Sequence, residues 1–439
     1  MGWHTVLDLA AAAGIAAFAV GGVQAGAVAA PLEAASEQQA AAGAAAPKPV
    51  TAAPKPGPAA VPPAAGQPSP AAPKPSAAAP AQAPPAGQSA PGSARGFTLT
   101  VAGGSGGGEY PAATVVHIWA DPAPGGSVFD RWTGNLEPLI DRYAAHTTLV
   151  MPAARVAVRA VFKHAPSCAP QSEASSGVEV TRCLPPGHSG VILLFHANGG
   201  AGANFFRNAE PLQFVADAAA AGFALVALDS RDRERKAWQL GAPGENPDVH
   251  DVRAALDALV QRRLIARGEP LYALGIGAGG NFAAFAAQRL PCKAAAIFLA
   301  PGNLPPGYAV PTLWLMTQNE VNRQPRALAE YTRLAHRRIP AKFDVNDPSP
   351  VDSLRFRRIR GIDAEASRAI HRLLREKGYL DARDMLTQDP ESSGWETNLP
   401  EPFARYREAI REQLDVCFGL PRFFSDFDNR ILDFFNEHR

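Results

Sequence analysis

The sequence predicts an α/β fold with a doubly wound, mostly parallel sheet, preceded by a small all-β module and a disordered Ala/Pro-rich linker. After about residue 190, continuous apolar runs alternate with stretches of helical period, which is typical of a sheet covered by helices on both faces. Short alternating runs fill residues 96–163, and Ala and Pro dominate residues 31–95. The predicted parts are an apolar terminus (1–30), the linker (31–95), the β module (96–163) and an α/β domain (164–439) with a helical insertion at about 348–396.

The overall charge limits the classes of partner that the chain can have. Its 439 residues carry a formal net charge of +1, and 19% of them are charged. A phosphate backbone would meet no broad basic field on such a chain. We therefore expect no nucleic-acid partner.

The N-terminus contains an apolar stretch, Leu9–Ala30, that includes the small-residue pattern Ala27–Ala29 near its end. An apolar run before such a pattern is typical of a cleaved secretory signal. Asp8 at its edge, and the lack of Lys or Arg before it, leave two alternatives: an uncleaved anchor and the Ala-rich tail of a cytoplasmic protein. A signal predicts a secreted, periplasmic or cell-envelope protein with no further membrane span.

Residues 31–95 are mostly Ala, Pro, Gly, Ser and Gln, with Ala-Pro-Lys-Pro repeated at 46–49, 53–56 and 72–75. Such a composition buries too little apolar surface to offset the entropy of ordering the chain. We expect an extended, partly polyproline-like segment. It is either a passive linker or a tether that crosses a cell wall.

Order is predicted to begin at Gly96, with alternating strands at Phe97–Val101, Thr114–Ala120 and Val156–Phe162. Three blocks occur in order: Gly-Gly-x-Tyr-Pro-Ala at 107–112, Phe-x-x-Trp-Thr-Gly at 129–134 and Met-Pro at 151–152. This pattern resembles the internalin-type divergent B-repeat module of exported bacterial proteins. The resemblance implies export and a cell-envelope partner. Trp132 is either the core of this small domain or an exposed binding aromatic.

The four cysteines are even in number, and two of them, Cys168 and Cys183, bracket a loop rich in Ser, Glu and Gly. We expect these two to form a disulfide. Zinc binding is disfavoured because no Cys-x-x-Cys or His-x-x-x-His accompanies them, so we expect no metal. Cys292 and Cys417 are either a second pair or two buried thiols.

The α/β domain contains five apolar runs with the length of buried strands. They are Gly190–Phe195, Gly222–Leu228, Leu271–Leu274, Lys293–Ala300 and Pro311–Met316. Helical periodicity predicts helices between and after them. These are Leu212–Ala221, Asp251–Arg263, Phe282–Leu290, Phe403–Gln413 and Phe427–His438.

The run Leu271–Leu274 leads through a glycine-dense turn into a helix, which is the frame of a nucleophile elbow, Gly-x-Ser-x-Gly. Here the frame is Gly275-Ile276-Gly277-Ala278-Gly279, and Gly277 occupies the serine's place. In an active site of this kind, the strained turn would lift the nucleophile over the edge of a sheet. The glycine pattern of the elbow is therefore present, but the serine nucleophile is absent.

The stretch from Gly190 onward resembles an α/β-hydrolase of the esterase, dienelactone-hydrolase and polyester-depolymerase kind. Besides the elbow, the segment Leu193–Gly200 matches the strand and glycine-rich loop that supply one oxyanion N–H. The resemblance implies an oxyanion site formed by backbone N–H groups. The residues predicted to supply or line it are Ala197, Asn198, Gly199 and Ala278.

The resemblance also implies positions for the acid and the histidine of a triad. Pro311–Glu320 matches the strand after which the family places its acid, so Glu320, or less well Asn319, holds that position. The histidine's place, on the loop before the last helix, falls near Pro421. We expect His196, on the oxyanion strand, to be structural.

These residues predict a non-catalytic protein of hydrolase fold that binds a small-molecule or polymer ligand with an ester or carboxylate group, without a cofactor. The alternative is an active hydrolase with a displaced nucleophile. Ser230, after the second strand, is the candidate, because ligands bind at the carboxyl edge of such sheets. A capped turn is the other interpretation of Ser230 and its neighbour Asp229.

Overall fold

A computed structural model describes residues 96–241 and 246–439 of the chain. The apolar terminus and the linker predicted for residues 1–95 lie outside the described residues. Within the two described ranges, no helix is long and apolar enough to cross a membrane.

The first described part is a β module built from two small sheets. The strands are β1 (Gly96–Ala102), β2 (Gly104–Ser105), β3 (Gly108–Pro111), β4 (Val115–Ala120), β5 (Ser127–Gly134), β6 (His146–Val150) and β7 (Val156–His164). One sheet has the order β3-β1-β7-β5 and the other β2-β4-β6. Trp132 is 0% exposed in the core of the module, and its Nε1 donates to the carbonyl of Ala144 at 3.0 Å. Trp132 is thus a core residue and not an exposed binding aromatic.

The second part is organised around an eight-stranded sheet. Its strands are β8 (Gln171–Ser175), β9 (Val178–Cys183), β10 (Val191–Phe195), β11 (Ala224–Leu228), β12 (Leu271–Ile276), β13 (Ala294–Phe298), β14 (Thr312–Thr317) and β15 (Ala341–Asn346). Their spatial order is β8-β9-β11-β10-β12-β13-β14-β15. The pairs from β11 to β15 are parallel, while β9 is antiparallel to both of its neighbours. The prediction of a mostly parallel α/β sheet is confirmed.

Helices cover both faces of this sheet, and further helices form the insertion beside it. The helices of the described chain are α1 (Ala209–Ala220), α2 (Pro247–Gln261), α3 (Ala278–Arg289), α4 (Gln324–His336), α5 (Ala364–Glu376), α6 (Glu401–Ala404), α7 (Arg407–Phe418) and α8 (Asp428–Glu437). Helices α1 and α8 pack on one face through residues such as Phe214 and Phe435. Helices α2 and α3 pack on the other through Val252 and Phe282. Every residue of β10 and β11 is buried, which explains their continuous apolar sequence.

The structure adds elements that the sequence pattern did not predict. The expected loop between Cys168 and Cys183 contains an antiparallel hairpin, β8–β9, at the edge of the sheet. Strand β15 and helix α4 follow β14 along the chain, and β15 forms the opposite edge. The burial of β15 is only partial, because an edge strand has one neighbour, and its mixed sequence Ala-Lys-Phe-Asp-Val-Asn therefore lacked the signal of a buried strand.

The helical region between β15 and α8 has its own apolar core, which includes Phe356, Ile370, Trp395 and Leu414. This core extends into α7, beyond the predicted insertion at 348–396. The region also contacts the β module, because Ser105 Oγ donates to Asp352 Oδ1 at 2.7 Å.

Candidate functional site

The turn between β12 and α3 has the backbone of a nucleophile elbow. Gly277 lies there with φ 56° and ψ −119°, a conformation that only glycine adopts without strain. Its N–H donates to the carbonyl of Phe298 at 2.8 Å. The turn is thereby held against the end of β13.

The two flanking glycines are required by close backbone approach. A Cβ added at Gly275 would collide with the carbonyl of Gly279. One added at Gly279 would collide with the carbonyl oxygens of Phe195 and His196, at the end of β10. The Gly-x-x-x-Gly frame is therefore a steric necessity of this turn, whatever occupies its centre.

Position 277 itself has room for a side chain. A Cβ built on Gly277 meets only the Cβ of Ala197, at 3.7 Å, which is an ordinary van der Waals contact. The missing nucleophile therefore leaves open space beside the oxyanion loop rather than a site filled by a neighbour.

Backbone N–H groups converge on this space. The first N–H groups of an α-helix have no acceptor within the helix, and at α3 these belong to Ala278 and Gly279. Facing them is the loop after β10, where Gly200 N–H donates to the carbonyl of Ala197 at 2.9 Å and Gly199 N–H to that of Lys236 at 3.2 Å. These two bonds hold the loop and leave the N–H groups of Ala197 and Asn198 as its candidate donors.

His196 is fully engaged in holding this loop. Its Nδ1 lies 2.8 Å from the carbonyl oxygen of Ala197, and its Nε2 lies 3.1 Å from Ser230 N–H. The first contact needs a proton on Nδ1 and the second a lone pair on Nε2, so the ring is neutral. Burial also lowers the pKa of His196. Taking up a proton would break the bond from Ser230, so His196 is a structural residue and not a general base.

Beside the elbow lies a cavity of about 270 Å³. It is lined by His196, Ala197, Gly200, Ala201, Asn204, Phe205, Asn208, Glu210, Pro211, Ile276, Glu412, Pro421, Arg422 and Phe423. Pro421, the position at which the family resemblance placed the histidine, is among these residues and has no group that can accept a proton. His196 is the one histidine among the lining residues.

The carboxylate of Glu320 lies in the turn between β14 and α4, as the resemblance implied, and is buried. It accepts from Arg323 N–H at 3.2 Å and forms an ion pair with the guanidinium of Arg323 at 3.1 Å. Asn319 Nδ2 instead donates to the carbonyl of Phe418 at 2.7 Å. In the described chain, neither side chain is bonded to a histidine, and Glu320 instead holds the turn that precedes α4.

Ser230 occupies a tight buried turn after β11. Its Oγ donates to the carbonyl of Asp232 at 3.3 Å, and the side chain is 0% exposed. The neighbouring Asp229 accepts from Gly202 N–H at 2.7 Å and pairs with Arg233 at 2.7 Å. These contacts fit a capped turn, and they leave no general base beside Ser230 Oγ.

Two other histidines, His371 and His336, lie away from the elbow cavity. His371 is buried in the helical insertion, 3.3 Å from Asp384. His336 ends α4 at the surface. Neither lines the cavity beside the elbow.

The cysteines supply no nucleophile to the site. Cys168 and Cys183 form the predicted disulfide, with their Cα atoms 5.4 Å apart. Cys292 and Cys417 are separate buried thiols. Burial raises the pKa of Cys292 to about 12 and also raises that of Cys417, so neither forms a thiolate near neutral pH.

A buried charge cluster beside the cavity was not predicted from the sequence. Arg355 and Arg358 pair with Glu210 and Asp426 at 2.7 to 3.2 Å, and Glu210 also accepts from Ser425 N–H and Oγ. Burial would raise the pKa of Asp426, but the two guanidinium groups outweigh it and hold that pKa below its usual range. The four groups satisfy one another, as buried charges must.

Two features define an α/β-hydrolase site: the elbow and the loop after the third strand of the sheet. Here these are the turn after β12 and the loop after β10, which is the third strand of the main sheet along the chain. The sheet and its helices have the α/β-hydrolase fold. In the described ranges, no three His, Cys, Asp or Glu residues are placed to hold a metal ion.

Sequence comparison identifies the β module. Residues 97–166 match the family described as divergent InlB B-repeat domain. No curated protein matches the chain.

Solved structures similar to the chain include esterases. A ferulic acid esterase is 13% identical over 41% of this chain and 90% of its own, with a TM-score of 0.34. An esterase of the bacterial hormone-sensitive lipase family is 20% identical over 48% and 84%, with a TM-score of 0.31. A bacterial heroin esterase is 16% identical over 41% and 74%, with a TM-score of 0.29. At these TM-scores the fold assignment rests on the chain's own strand order and elbow.

Proposed function

We propose that this protein is a non-catalytic member of the α/β-hydrolase fold that binds a ligand in the cavity beside the elbow. The observation that carries the proposal is the state of two positions, Gly277 next to the cavity and His196 in its lining. Gly277 provides no nucleophile, and both nitrogens of His196, the one histidine in the lining, are bonded to the backbone. Acyl transfer by an esterase mechanism requires both groups.

The ligand class follows from the groups that remain. The N–H groups of Ala278 and the Ala197–Asn198 segment favour an oxygen atom that carries negative charge or a strong dipole. Asn204 and Asn208 add amide groups at the wall. The cavity is small, so it fits a carboxylate, an ester carbonyl or one end of a polymer chain.

Glu412 limits the charge of the ligand. Burial raises the pKa of this lining residue to about 6, so its carboxyl is ionised above that pH and repels an anion. Asn208 Nδ2 donates to Glu412 Oε1 at 3.3 Å. A carboxylate ligand is therefore expected to bind more tightly below pH 6, where Glu412 is neutral, and an uncharged ester is not.

The test has a catalytic arm. The full-length protein is incubated with p-nitrophenyl butyrate and with a fluorophosphonate probe. We expect no turnover above the uncatalysed rate and no covalent label. Turnover abolished by Ser230→Ala would establish the alternative, an active hydrolase with a displaced nucleophile.

The second arm measures binding of butyrate by titration calorimetry at pH 5 and pH 8. Ala201→Leu narrows the cavity and should abolish binding. The matched control is Ala203→Leu, in the 3₁₀ turn (Gly202–Phe206) that Ala201 precedes, but outside the lining. Equal affinity of the two variants would show that the cavity is not the binding site.

The proposal places this binding outside the cytoplasm, in a secreted, periplasmic or cell-envelope protein. The apolar stretch Leu9–Ala30 and the B-repeat-like module support this location. The module then provides the contact with the cell envelope. Mass spectrometry of the mature N-terminus tests it, since an intact Met1 would exclude a cleaved signal.

A further inference from the structure

A second cavity, of about 770 Å³, lies between the β module and the helical insertion. It is separate from the elbow and shares no lining residue with the cavity there. The bond from Ser105 Oγ to Asp352 Oδ1, both lining residues, joins its two walls. Its volume falls in the range of small-molecule sites, which is roughly 300–1,000 Å³.

The wall that belongs to the module is aromatic. His117 and Trp119 alternate along β4 with the buried residues Val116 and Ile118, so both project from the outer face of the sheet. Trp119 stacks on His146 of β6 at 4.9 Å, and His117 stacks on Trp119 at 5.7 Å. Burial lowers the pKa of His117, and lowers that of His146 to about 3, so this aromatic wall is uncharged near neutral pH.

The opposite wall, from the insertion, carries hydrogen-bonding groups that are not satisfied. His371 is 8% exposed, and its Nε2 lies 3.3 Å from Asp384 Oδ1. Arg375 Nη1 also lies 3.2 Å from Asp384 Oδ1, but in the described chain neither His371 Nε2 nor Asp384 Oδ1 makes a hydrogen bond of acceptable geometry. Buried polar atoms without partners are rare and costly, and these two belong to residues that line the cavity.

The charges of the lining residues limit the class of ligand further. Asp352 and Asp384 are its carboxylates, and Arg383 is its one guanidinium. An anionic ligand is disfavoured by this balance. A purely apolar ligand would leave the polar atoms of the insertion wall without partners.

We propose that this cavity binds a neutral oligosaccharide. A sugar ring presents C–H groups on one face, which pack against an aromatic ring, and hydroxyl groups around its edge, which hydrogen-bond to carboxylate and imidazole. Trp119 and His117 provide the packing surface. Asp384 and His371, whose Oδ1 and Nε2 make no hydrogen bond of acceptable geometry, provide the carboxylate and the imidazole for those hydroxyl groups.

The experiment is titration calorimetry of the full-length protein with chitotetraose, cellotetraose and maltotetraose, each at up to millimolar concentration. We expect at least one of them to bind. Trp119→Ala should weaken that affinity at least about tenfold, and Trp119→Phe, which keeps an aromatic face, by less than about threefold. Asp384→Asn should also weaken it about tenfold. Asp384 has φ 60°, which Asn tolerates, so this variant changes the charge and not the backbone.

Two control variants match these in chemistry. Tyr143→Ala removes an aromatic ring and Asp433→Asn a carboxylate from a neighbouring cavity between the module and the α/β domain, and neither residue lines the proposed site. Both should bind as the unmodified chain does, and the melting temperature of every variant is measured to detect loss of folding. Failure of all three sugars to bind, or equal loss in Tyr143→Ala and Trp119→Ala, would overturn the proposal. The result does not depend on the ligand of the elbow cavity.

Discussion

The elbow and the buried charge cluster lie at one cavity, since Ile276 of the elbow and Glu210 of the cluster both line it. They differ in the side chains that they bring to it. The elbow has the backbone geometry of a catalytic site and no side chain at its centre. The cluster has four charged side chains, and each of them is paired. Neither feature alone provides chemistry.

The difference shows what reactivity requires. A nucleophile or base must have a lone pair that is not held in a structural bond and that lies within reach of the substrate. The elbow provides the position of a nucleophile but no side chain there. The cluster provides charged side chains, but their ion pairs and hydrogen bonds hold the fold together. This difference supports our proposal that the cavity binds a ligand.

The largest expected effect comes from breaking the cluster. Glu210→Ala leaves the guanidinium groups of Arg355 and Arg358 buried with only Asp426 between them. Removal of one partner from a buried ion network costs about 3–5 kcal/mol of unfolding free energy, measured by urea denaturation. Glu234→Ala, at an exposed position, is the control and should change it by less than about 0.5 kcal/mol. A cost near the control value would show that the cluster is not a structural unit.

The next effect tests the elbow as a steric frame. In Gly279→Ala the new methyl group collides with the carbonyl oxygens of Phe195 and His196. We expect a loss of about 3 kcal/mol, because backbone on two elements must shift. Gly125→Ala, whose Cβ would meet nothing within 4 Å, is the control. If both variants unfold at the same urea concentration, the close approach at this turn does not exist.

A smaller effect is expected at the centre of the elbow. Gly277→Ser introduces no clash, since its Cβ would contact only Ala197. The positive φ should cost about 1–3 kcal/mol, and Gly222→Ser, also at positive φ with open space, controls for this strain. The variant should remain inactive on p-nitrophenyl butyrate because no base faces the new hydroxyl. Restored activity would mean that a histidine reaches residue 277 after all.

The last effect depends on pH and concerns Asp217, a carboxyl group near the cluster that lacks a guanidinium partner. Burial raises the pKa of Asp217 to about 6, above the value of about 3.9 expected in the unfolded chain. The folded state therefore holds this proton more tightly, and its contribution to stability is present below about pH 4 and lost as pH rises through about 6.

Asp217→Asn should reduce that dependence, and Asp428, which lies beside Asp217 and whose pKa burial also raises, should retain a trend of the same sign. Relative to the unmodified chain, the variant should gain stability between pH 4 and pH 7, up to about 3 kcal/mol, and change little above that. Asp257→Asn, at an exposed position on α2, should show no such trend. A parallel shift at all pH values would assign the effect to packing instead of titration.

Much of the main sheet could be predicted because its inner strands are buried on both faces. Runs such as Val191–Phe195 and Ala224–Leu228 are apolar throughout for that reason. The two edge strands of the sheet were not predicted from the sequence. Strands β8 and β15 have one neighbour each and mixed sequences, so they carry no continuous apolar signal.

The sequence by itself predicted the elbow, because its glycine pattern at 275–279 lies within one strand, one turn and one helix, although it is β10 that makes Gly279 necessary. It also located Gly277 at the nucleophile's position and Pro421 in the loop before the last helix. The disulfide between Cys168 and Cys183 was predictable for the same local reason.

Only the tertiary structure decided what surrounds these positions. His196 Nε2 accepts from Ser230 N–H, and Glu210 pairs with Arg355. Both contacts join residues that lie far apart in the chain. Hydrogen bonds and ion pairs of this kind depend on where side chains meet in space, and they leave no periodic trace in the sequence. Local sterics therefore fixed the frame of the site, and long-range packing decided that its remaining polar groups are held in structural bonds.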